Sequence, residues 1–370
     1  MKNKLRLGVL GSGQLGQMMA EETLHHGISL FCYSPDEDSP IKEIGVPITV
    51  GAYDELEKLE SFLNKIQILT FEFENIPKST LEFLISFQSN HDLKIFPNPH
   101  ALIIAQDRFL EKSHFKKLDL KTPLFFHLTK NNTLVDFSFP WIIKTLRFGY
   151  DGKGQTKIES KDDYTNFLNK AFPTGEEEYL VEEKISFEKE ISVILTRFQN
   201  GHIETYGSVE NIHKNHILDI SIYPSNIESD INERAAEIAK KLADSLNYVG
   251  TLGVEFFILG DQIYLNEFAP RPHNSGHFSQ NCGSVSQFKL HVAAVSNFFQ
   301  PKIKHTKPTI MKNILGNHYN DSMEKIIKLL EDDRYVLHLY GKKEIKKGRK
   351  MGHLNFRGKL EDVSPLFFEI

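Results

Sequence analysis

The strongest constraint on the fold of this chain lies in residues 253–269, where two apolar, aromatic-rich runs, GVEFFIL and IYLNEFA, flank Gly260, Asp261 and Gln262. Runs of this kind around a short glycine-containing loop form an antiparallel hairpin. Each run carries one carboxylate, Glu255 and Glu267, where a core side chain is expected. If all three intervening residues form the loop, position 259 faces 263 and Glu255 lies directly opposite Glu267, with Cβ atoms roughly 5 Å apart. A two-residue loop would send the two carboxylates to opposite faces. Like charges that close cannot both stay ionised in a half-buried sheet without a cation between them. Paired carboxylate oxygens suit Mg2+, which completes its shell with phosphate and water oxygens. The alternative is a glutamate that simply points to solvent at a sheet edge. The polar loop that follows, RPHNSGH at 271–277, favours a ligand site over packing.

Over 370 residues, 40% apolar and 25% charged side chains suit two or three packed domains with no disordered tract. The net charge of −5 argues against a nucleic-acid surface. Cys32 and Cys282 lie far apart without metal-type spacing, as in a reducing compartment. The sequence has neither a secretory leader pattern nor an apolar run of membrane-spanning length. The expectation is a cytoplasmic protein with no membrane or nucleic-acid partner.

The chain opens with a buried-type strand at 5–10, then Gly11-Ser12-Gly13-Gln14-Leu15-Gly16 and a helical stretch to about His26. Glycines so placed mark a nucleotide-type βαβ unit. NAD would also need an acidic residue closing the second strand, whereas residues 28–33 lead into Ser34-Pro35 before Asp36, so another use is expected. The strand at 66–71 ends in Glu72-Phe73-Glu74-Asn75-Ile76-Pro77, whose carboxylates either meet a ligand or cap the helix from Lys78. Pro97-Asn98-Pro99 marks a domain boundary, and residues 101–118 read as one helix.

A strand at 124–128 follows, and another at 141–144 that ends in Lys144. The next loop, Gly149-Tyr150-Asp151-Gly152-Lys153-Gly154-Gln155, has three glycines whose backbone N–H groups suit phosphates, with a plain hairpin turn as the alternative. Residues 179–185 read as an edge strand that offers backbone groups to an adenine. A strand at 203–209 precedes Glu210-Asn211-Ile212-His213, where His213 by itself reads equally as a surface residue. An amphipathic helix over 231–246 turns Ile231, Ala235, Ile238, Ala239, Leu242 and Leu246 to the core. Strands at 311–315 and 335–340 bracket a helix at 322–330, and the basic stretch at 341–353 is either a solvated face or an anchor for a small phosphorylated substrate.

Five motifs, in this order, resemble the ATP-grasp superfamily and, within it, the family of 5-(carboxyamino)imidazole ribonucleotide synthases. They are the Gly-x-Gly-Gln-Leu-Gly opening, FEFENIP at 71–77, the loop 149–155, NEFAPRPHNSGH at 266–277 and GRKMGH at 348–353. The resemblance spans essentially the whole chain. It implies a mixed α/β and α+β fold: a Rossmann-like pre-ATP-grasp domain over 1–97 that does not bind NAD, an ATP-grasp domain over 98–300 with a lid subdomain at about 124–182, and a small β-rich C-terminal domain over 301–370 that completes the substrate cleft, usually in a homodimer. It further implies a ligase that uses ATP, Mg2+ and bicarbonate to carboxylate 5-aminoimidazole ribonucleotide through carboxyphosphate. The alternative is a related ATP-grasp ligase that uses formate on a different nucleotide acceptor.

Carried over position by position, the resemblance assigns Arg108, Lys144, Gly149, Tyr150, Asp151, Gly152, Lys153, Gly154 and Gln155 to the ATP phosphates and lid. Glu182, Glu183, Lys184 and Ile185 become the adenine hinge, Glu190 meets the ribose, and His213 and Asn266 join the nucleotide site. Glu255 and Glu267 hold Mg2+. On the acceptor side stand Glu72, Glu74, Tyr150, Asp151, Arg271, Lys350 and Arg357, with Asp151, Lys350 and Arg271 as the expected catalytic residues; Asp151 takes the amine proton or orients the amine. Three positions depart from the family pattern. Ser12 and Phe148 replace common glycines and would stiffen their loops, and Lys184 stands where the hinge is usually aromatic or apolar.

Overall fold

The computed structural model describes residues 4–147, 149, 154–172, 178–317 and 319–370. Short apolar runs build the first sheet: β1 (Arg6–Leu10), β2 (Ser29–Ser34), β3 (Ile48–Val50), β4 (Ile68–Phe71) and β5 (Lys94–Ile95). All pair in parallel, in the order β3-β2-β1-β4-β5. Val9 packs with Met18 and Met19 of the first helix, whereas Leu10 packs with Leu59, Phe62 and Leu81 on the other face. Burial on both faces is why these strands read as continuous apolar runs. The chain moves from β1 to one side and later returns to the other, so the carboxyl ends of β1 and β4 flank the crevice where open α/β sheets take ligands.

Residues 101–118 do not form the single helix expected. Two helices occur, Pro99–Ala105 and Arg108–Lys117, because Asp107 leaves the helical region (φ −123°, ψ 107°). Its carboxylate accepts from the N–H groups of Phe109 and Leu110 at 3.1 and 3.2 Å, capping the second helix. The break leaves Arg108 at a helix start on the wall of the cleft.

The second sheet contains β6 (Phe125–Leu128), β7 (Trp141–Thr145), β8 (Gln155–Ile158) and β9 (Tyr179–Glu183) in the order β6-β9-β7-β8, antiparallel throughout. Here β9 is an interior strand and not the edge expected: Glu182 stands opposite Phe125 on one side and Ile142 on the other. Its register is set by partners more than 30 residues away, which local pattern does not reveal.

The third sheet has eight strands: β10 (Lys189–Arg197), β11 (Ile203–Lys214), β12 (Ile217–Tyr223), β13 (Gly250–Leu259), β14 (Gln262–Ala269), β15 (Thr309–Leu315), β16 (Tyr335–Leu339) and β17 (Lys350–Arg357). They pair in the order β14-β13-β10-β11-β12-β15-β17-β16. Strand β11 runs past Val209 to Lys214, so Glu210 to His213 lie within the ladder and not after it. The last three strands join through β12 and β15, extending this sheet with no break. The helix Ser229–Ser245 covers one face; Ile231, Ala235, Ala239 and Leu242 are buried against Ile191, Val193 and Val254, and Ile238 lies at the rim.

The hairpin β13-β14 departs from the expected loop and still brings its carboxylates together. Leu259 pairs with Gln262, leaving a two-residue Gly260-Asp261 turn. That register alone would separate the two glutamates. A β-bulge intervenes: Phe256 pairs with Leu265 and Glu255 with Glu267, so Asn266 is the extra residue. One inserted residue restores the parity that the short turn removes.

Gly11 ties this architecture to its cleft. It has φ +118°, and an added Cβ would run into Glu72 Cγ. Gly11→Ala is expected to lower stability by about 2 kcal/mol or more, as backbone strain and overpacking combine. Urea unfolding of the unliganded protein measures this; a loss under about 0.5 kcal/mol would show that the loop relaxes freely.

Candidate active site

The first and third sheets, with Gly149 from the loop after β7, line one cleft of about 820 Å3. Its first wall is the glycine loop. The backbone N–H groups of Gly13 and Gly16 donate to the Glu72 carboxylate at the end of β4. A Cβ on either glycine would stand 3.0 Å from a Glu72 oxygen, so the glycines make room for this carboxylate. Glu72 therefore takes the N–H donors that a dinucleotide pyrophosphate would need. Burial raises its pKa, against the two N–H donors and the charges of Arg271 and Lys342.

Glu74, two residues on, forms a bidentate pair with Arg271: Nη2 donates to Oε1 at 2.8 Å and Nε donates to Oε2. Burial opposes both charges, but the pairing wins and holds the Glu74 carboxyl below its usual range and the Arg271 guanidinium above its own. Asn274 lines the same wall with neither its side-chain nitrogen nor its oxygen hydrogen-bonded. Its amide is free to hydrogen-bond a ligand or water in the cleft. Lys350, at the start of β17, also lines the cleft.

The opposite set of groups is acidic. His273 Nε2 lies 3.1 Å from Glu255 Oε1, and the imidazole is fixed through Nδ1 by Ser275 Oγ at 2.8 Å. Burial raises the Glu255 pKa, but His273, His213 and Lys350 outweigh it and hold the carboxyl low. For Glu267 burial and the Glu255 charge win over Arg108, Lys144 and Lys112, and its pKa rises. Behind them Glu111 accepts from the N–H of Phe268 at 2.9 Å. Burial, then repulsion from Glu267, push Glu111 up to about 8. Among the described residues no three acidic, histidine or cysteine side chains form a complete metal cage. Two opposed carboxylates are nevertheless the protein share that a hard divalent cation needs when phosphates and water supply the rest.

Cations stand next to this wall. Arg108 donates through Nη1 to the carbonyl of Thr145 at 2.8 Å and through Nη2 to that of Gly149 at 2.7 Å. Lys144 pairs with Glu182, and Glu182 also meets Lys112 at 2.8 Å. Burial disfavours the Glu182 charge, yet the two lysines hold its pKa down to about 2. His213 pairs with Glu190; that bond and the charges of Glu190, Glu255 and Glu267 raise its pKa over the opposing effect of burial.

Family models cover this architecture in three parts. A ribonucleotide synthetase preATP-grasp domain matches residues 4–106, an ATP-grasp domain matches 113–288, and a phosphoribosylaminoimidazole carboxylase C-terminal domain matches 309–363. The chain is 35% identical to the N5-carboxyaminoimidazole ribonucleotide synthase of Brucella melitensis over 353 residues, 94% of this chain and 95% of that protein. It belongs to the N5-carboxyaminoimidazole ribonucleotide synthase family. Similar solved structures include N5-carboxyaminoimidazole synthetase from Staphylococcus aureus complexed with ADP, at 33% identity and TM-score 0.85 over 96% of this chain and 94% of that one. Another is N5-carboxyaminoimidazole synthase from Aspergillus clavatus in complex with ADP and 5-aminoimidazole ribonucleotide, at 27% identity and TM-score 0.86 over the whole of both chains.

Several residues expected at the site do gather here: Glu72, Glu74, Arg108, Gly149, His213, Glu255, Glu267, Arg271 and Lys350 all line the cleft. Lys144 and Glu182 lie just behind its wall. Glu183 and Lys184, expected in an adenine hinge, donate their N–H groups to the carbonyls of Leu124 and Pro140, at 2.8 and 3.0 Å, and Ile185 is buried. Gly154 accepts from the Thr145 N–H, and Gln155 begins β8 opposite Lys144. Arg357 is not brought to the cleft; it sits at the far end of β17, half-exposed, donating to the Asp333 carbonyl. Tyr150, Asp151, Gly152 and Lys153, together with Phe148, lie outside the described residues.

Sequence reasoning missed Glu111 and Lys112, and it read the polar loop holding His273 and Asn274 as a ligand site without giving either residue a role. The first two had a signal: positions 108, 111, 112 and 115 share a helix face, and Phe115 on it is fully buried. Charged residues on that face had to be paired.

Glu111 also predicts a pH dependence. Because its folded pKa is raised from 4.5, its contribution to stability is full below that value and is lost as pH rises through about 8. Without nucleotide or metal, the melting temperature should therefore fall between about pH 5 and pH 9, and Glu111→Gln should flatten that fall. An unchanged slope in the variant would mean that Glu111 stays ionised.

Proposed function

We propose that this protein is an ATP-dependent ligase that joins bicarbonate to 5-aminoimidazole ribonucleotide, giving N5-carboxyaminoimidazole ribonucleotide, ADP and phosphate in purine synthesis. The observation that carries the reading is one cleft lined both by the opposed Glu255 and Glu267 with Arg108, and by the Glu74–Arg271 pair, Asn274 and Lys350. Anion-binding cations beside a paired-carboxylate wall suit a nucleotide triphosphate with its metal. Glu255 and Glu267 would hold Mg2+, which when bound neutralises charge on the β- and γ-phosphates.

The chemistry runs in two displacements. A bicarbonate oxygen attacks the γ-phosphorus and ADP leaves, forming carboxyphosphate. The exocyclic amine of the acceptor then forms a C–N bond to the carboxyl carbon, phosphate leaves, and the amine proton passes to a base, a role that family resemblance gives to Asp151. Lys144 and Arg108 neutralise the phosphoryl oxygens as charge develops. Arg271, oriented by its fork on Glu74, and Lys350 hold the acceptor nucleotide, so the amine is presented without a search over side-chain rotamers. Carboxyphosphate hydrolyses readily, which gives the loop at 149–155 the task of excluding water. A homodimer in the cytoplasm fits the family and the two buried, unpaired cysteines. The formate alternative is not favoured, since the matched relatives are named for the carboxylated product.

Release of phosphate from ATP should depend on bicarbonate and be stimulated by 5-aminoimidazole ribonucleotide, with formate unable to replace bicarbonate. Formate-dependent release would overturn the reading in favour of the related ligase.

Donor and acceptor groups should also fail differently. Lys350→Ala is expected to bind ATP nearly as the parent does while forming product roughly one to two powers of ten more slowly, the cost of about 1.5–3 kcal/mol for a lost charged hydrogen bond. Lys144→Ala should weaken ATP binding and stop phosphate release. Equal loss of ATP binding in both variants would contradict this division of the cleft.

A further inference from the structure

Lys112 is the most deeply buried cation of the donor side, with a side chain only 2% exposed, and it does not line the cleft. Its ammonium hydrogen-bonds Thr122 Oγ1 at 3.1 Å and the Asn266 carbonyl at 2.6 Å, and forms an ion pair with Glu182 Oε1 at 2.8 Å. These partners sit on different elements. Glu182 lies on β9, and Asn266 is the bulge residue of β14 that sets Glu267 opposite Glu255. The other Glu182 oxygen pairs with Lys144, whose side chain is 13% exposed.

Charge counting gives Lys112 a purpose that packing does not. A lysine at the end of β7 that faced Glu182 alone would be a neutral pair, with little field left for a phosphate. Lys112 on the second oxygen means that Glu182 is shared between two cations and does not cancel Lys144 alone; the Glu267 carboxyl, whose ionisation burial and Glu255 oppose, faces the same two lysines. In a low-dielectric setting the uncancelled charge of Lys144 acts strongly on a phosphoryl group a few ångströms away. The Asn266 carbonyl adds a steric part, since the same ammonium clamps the bulge on which the register of Glu267 depends.

We propose that Lys112 is a positioning residue for nucleotide binding: it takes up the Glu182 charge so that Lys144 presents a net positive charge to the ATP phosphates, and it locks the bulge that aligns Glu267 with Glu255. The inference rests on the ATP-binding reading above. Lys112 itself touches no substrate. Replacing it with an apolar side chain of similar length should leave Glu182 to cancel Lys144, whereas removing the Glu182 charge as well should give Lys144 its net charge back.

The test is calorimetric titration of the full chain with ATP and Mg2+, beside thermal unfolding, for the parent, Lys112→Met and Lys112→Met/Glu182→Gln. The parent should bind ATP; failure there would overturn the functional reading, a result distinct from anything the variants report. Lys112→Met should bind ATP about tenfold or more weakly, and the double variant should recover at least about fivefold of that affinity. A role in packing alone predicts no recovery, because the double variant restores no volume and no contact to Asn266. Lys112→Met binding within about twofold of the parent, or a double variant as weak as the single one, would overturn the proposal. Should Lys112→Met fail to fold, the double variant still decides the matter: binding within about fivefold of the parent supports charge compensation, and a loss beyond tenfold rejects it.

Discussion

The repulsion between Glu255 and Glu267 organises much of this structure. Two buried carboxylates on neighbouring strands are unfavourable unless cations or protons surround them, and they are surrounded: His273 on Glu255, Arg108 and Lys144 near Glu267, and a carboxyl at Glu111 that burial and Glu267 keep from ionising readily. They come from three elements: Arg108 and Glu111 from one helix, Lys144 from β7, and His273 from the loop after β14. The helix break at Asp107, the lid-sheet strand β7 and the polar loop after β14 meet at the same few ångströms because the same charges must be balanced there. A divalent cation with phosphate ligands would complete that balance.

The glycine-rich opening follows a different logic from the one its pattern first suggests. In a dinucleotide fold the glycines let a pyrophosphate approach the backbone. Here they let Glu72 approach, and the anion of the cradle belongs to the protein. The loop becomes a rigid wall of the cleft, and the carboxyl end of β4 becomes a strap between the first sheet and Arg271. His291 makes a second tie between the same sheets: its Nδ1 accepts from the Thr251 N–H at 3.0 Å, so its Nε2 donates to Thr70 Oγ1 at 2.8 Å. Burial drives the pKa of this imidazole down to about 3, which keeps it neutral and the tautomer fixed across the working pH range.

The second sheet is attached to the rest by polar contacts and by Phe109, which stacks on His127 and meets Phe125 edge-on. Arg147 binds the Asp107 carboxylate through Nε and Nη2, both at 3.1 Å, and Arg108 binds the carbonyls of Thr145 and Gly149. The apolar cluster around Trp141, Ile143 and Val181 is separate from those of the other sheets.

The sequence by itself determined the features that depend on near neighbours. Buried runs marked β1 and β4, an apolar stripe marked the helix over 229–245, and two glutamates at matching places in one hairpin marked the acidic wall. The five motifs carried enough information to reach the family. Tertiary structure alone decided which strand neighbours which, and with it the chemistry of several side chains. Residues 179–183 read as an edge and lie inside a sheet; Glu182 read as part of a hinge, and its carboxylate lies between two lysines contributed by a helix and another strand. Arg357 shares a strand with Lys350 but stands seven residues away along it, about 23 Å at strand rise, which puts it at the far end from the cleft. The hairpin turn has two residues, and a bulge at Asn266 restored a pairing that the turn had undone. In each case periodicity records whether a residue is buried, whereas its partner is chosen by chain segments tens or hundreds of residues distant, through charge balance and hydrogen-bond satisfaction that no local window contains.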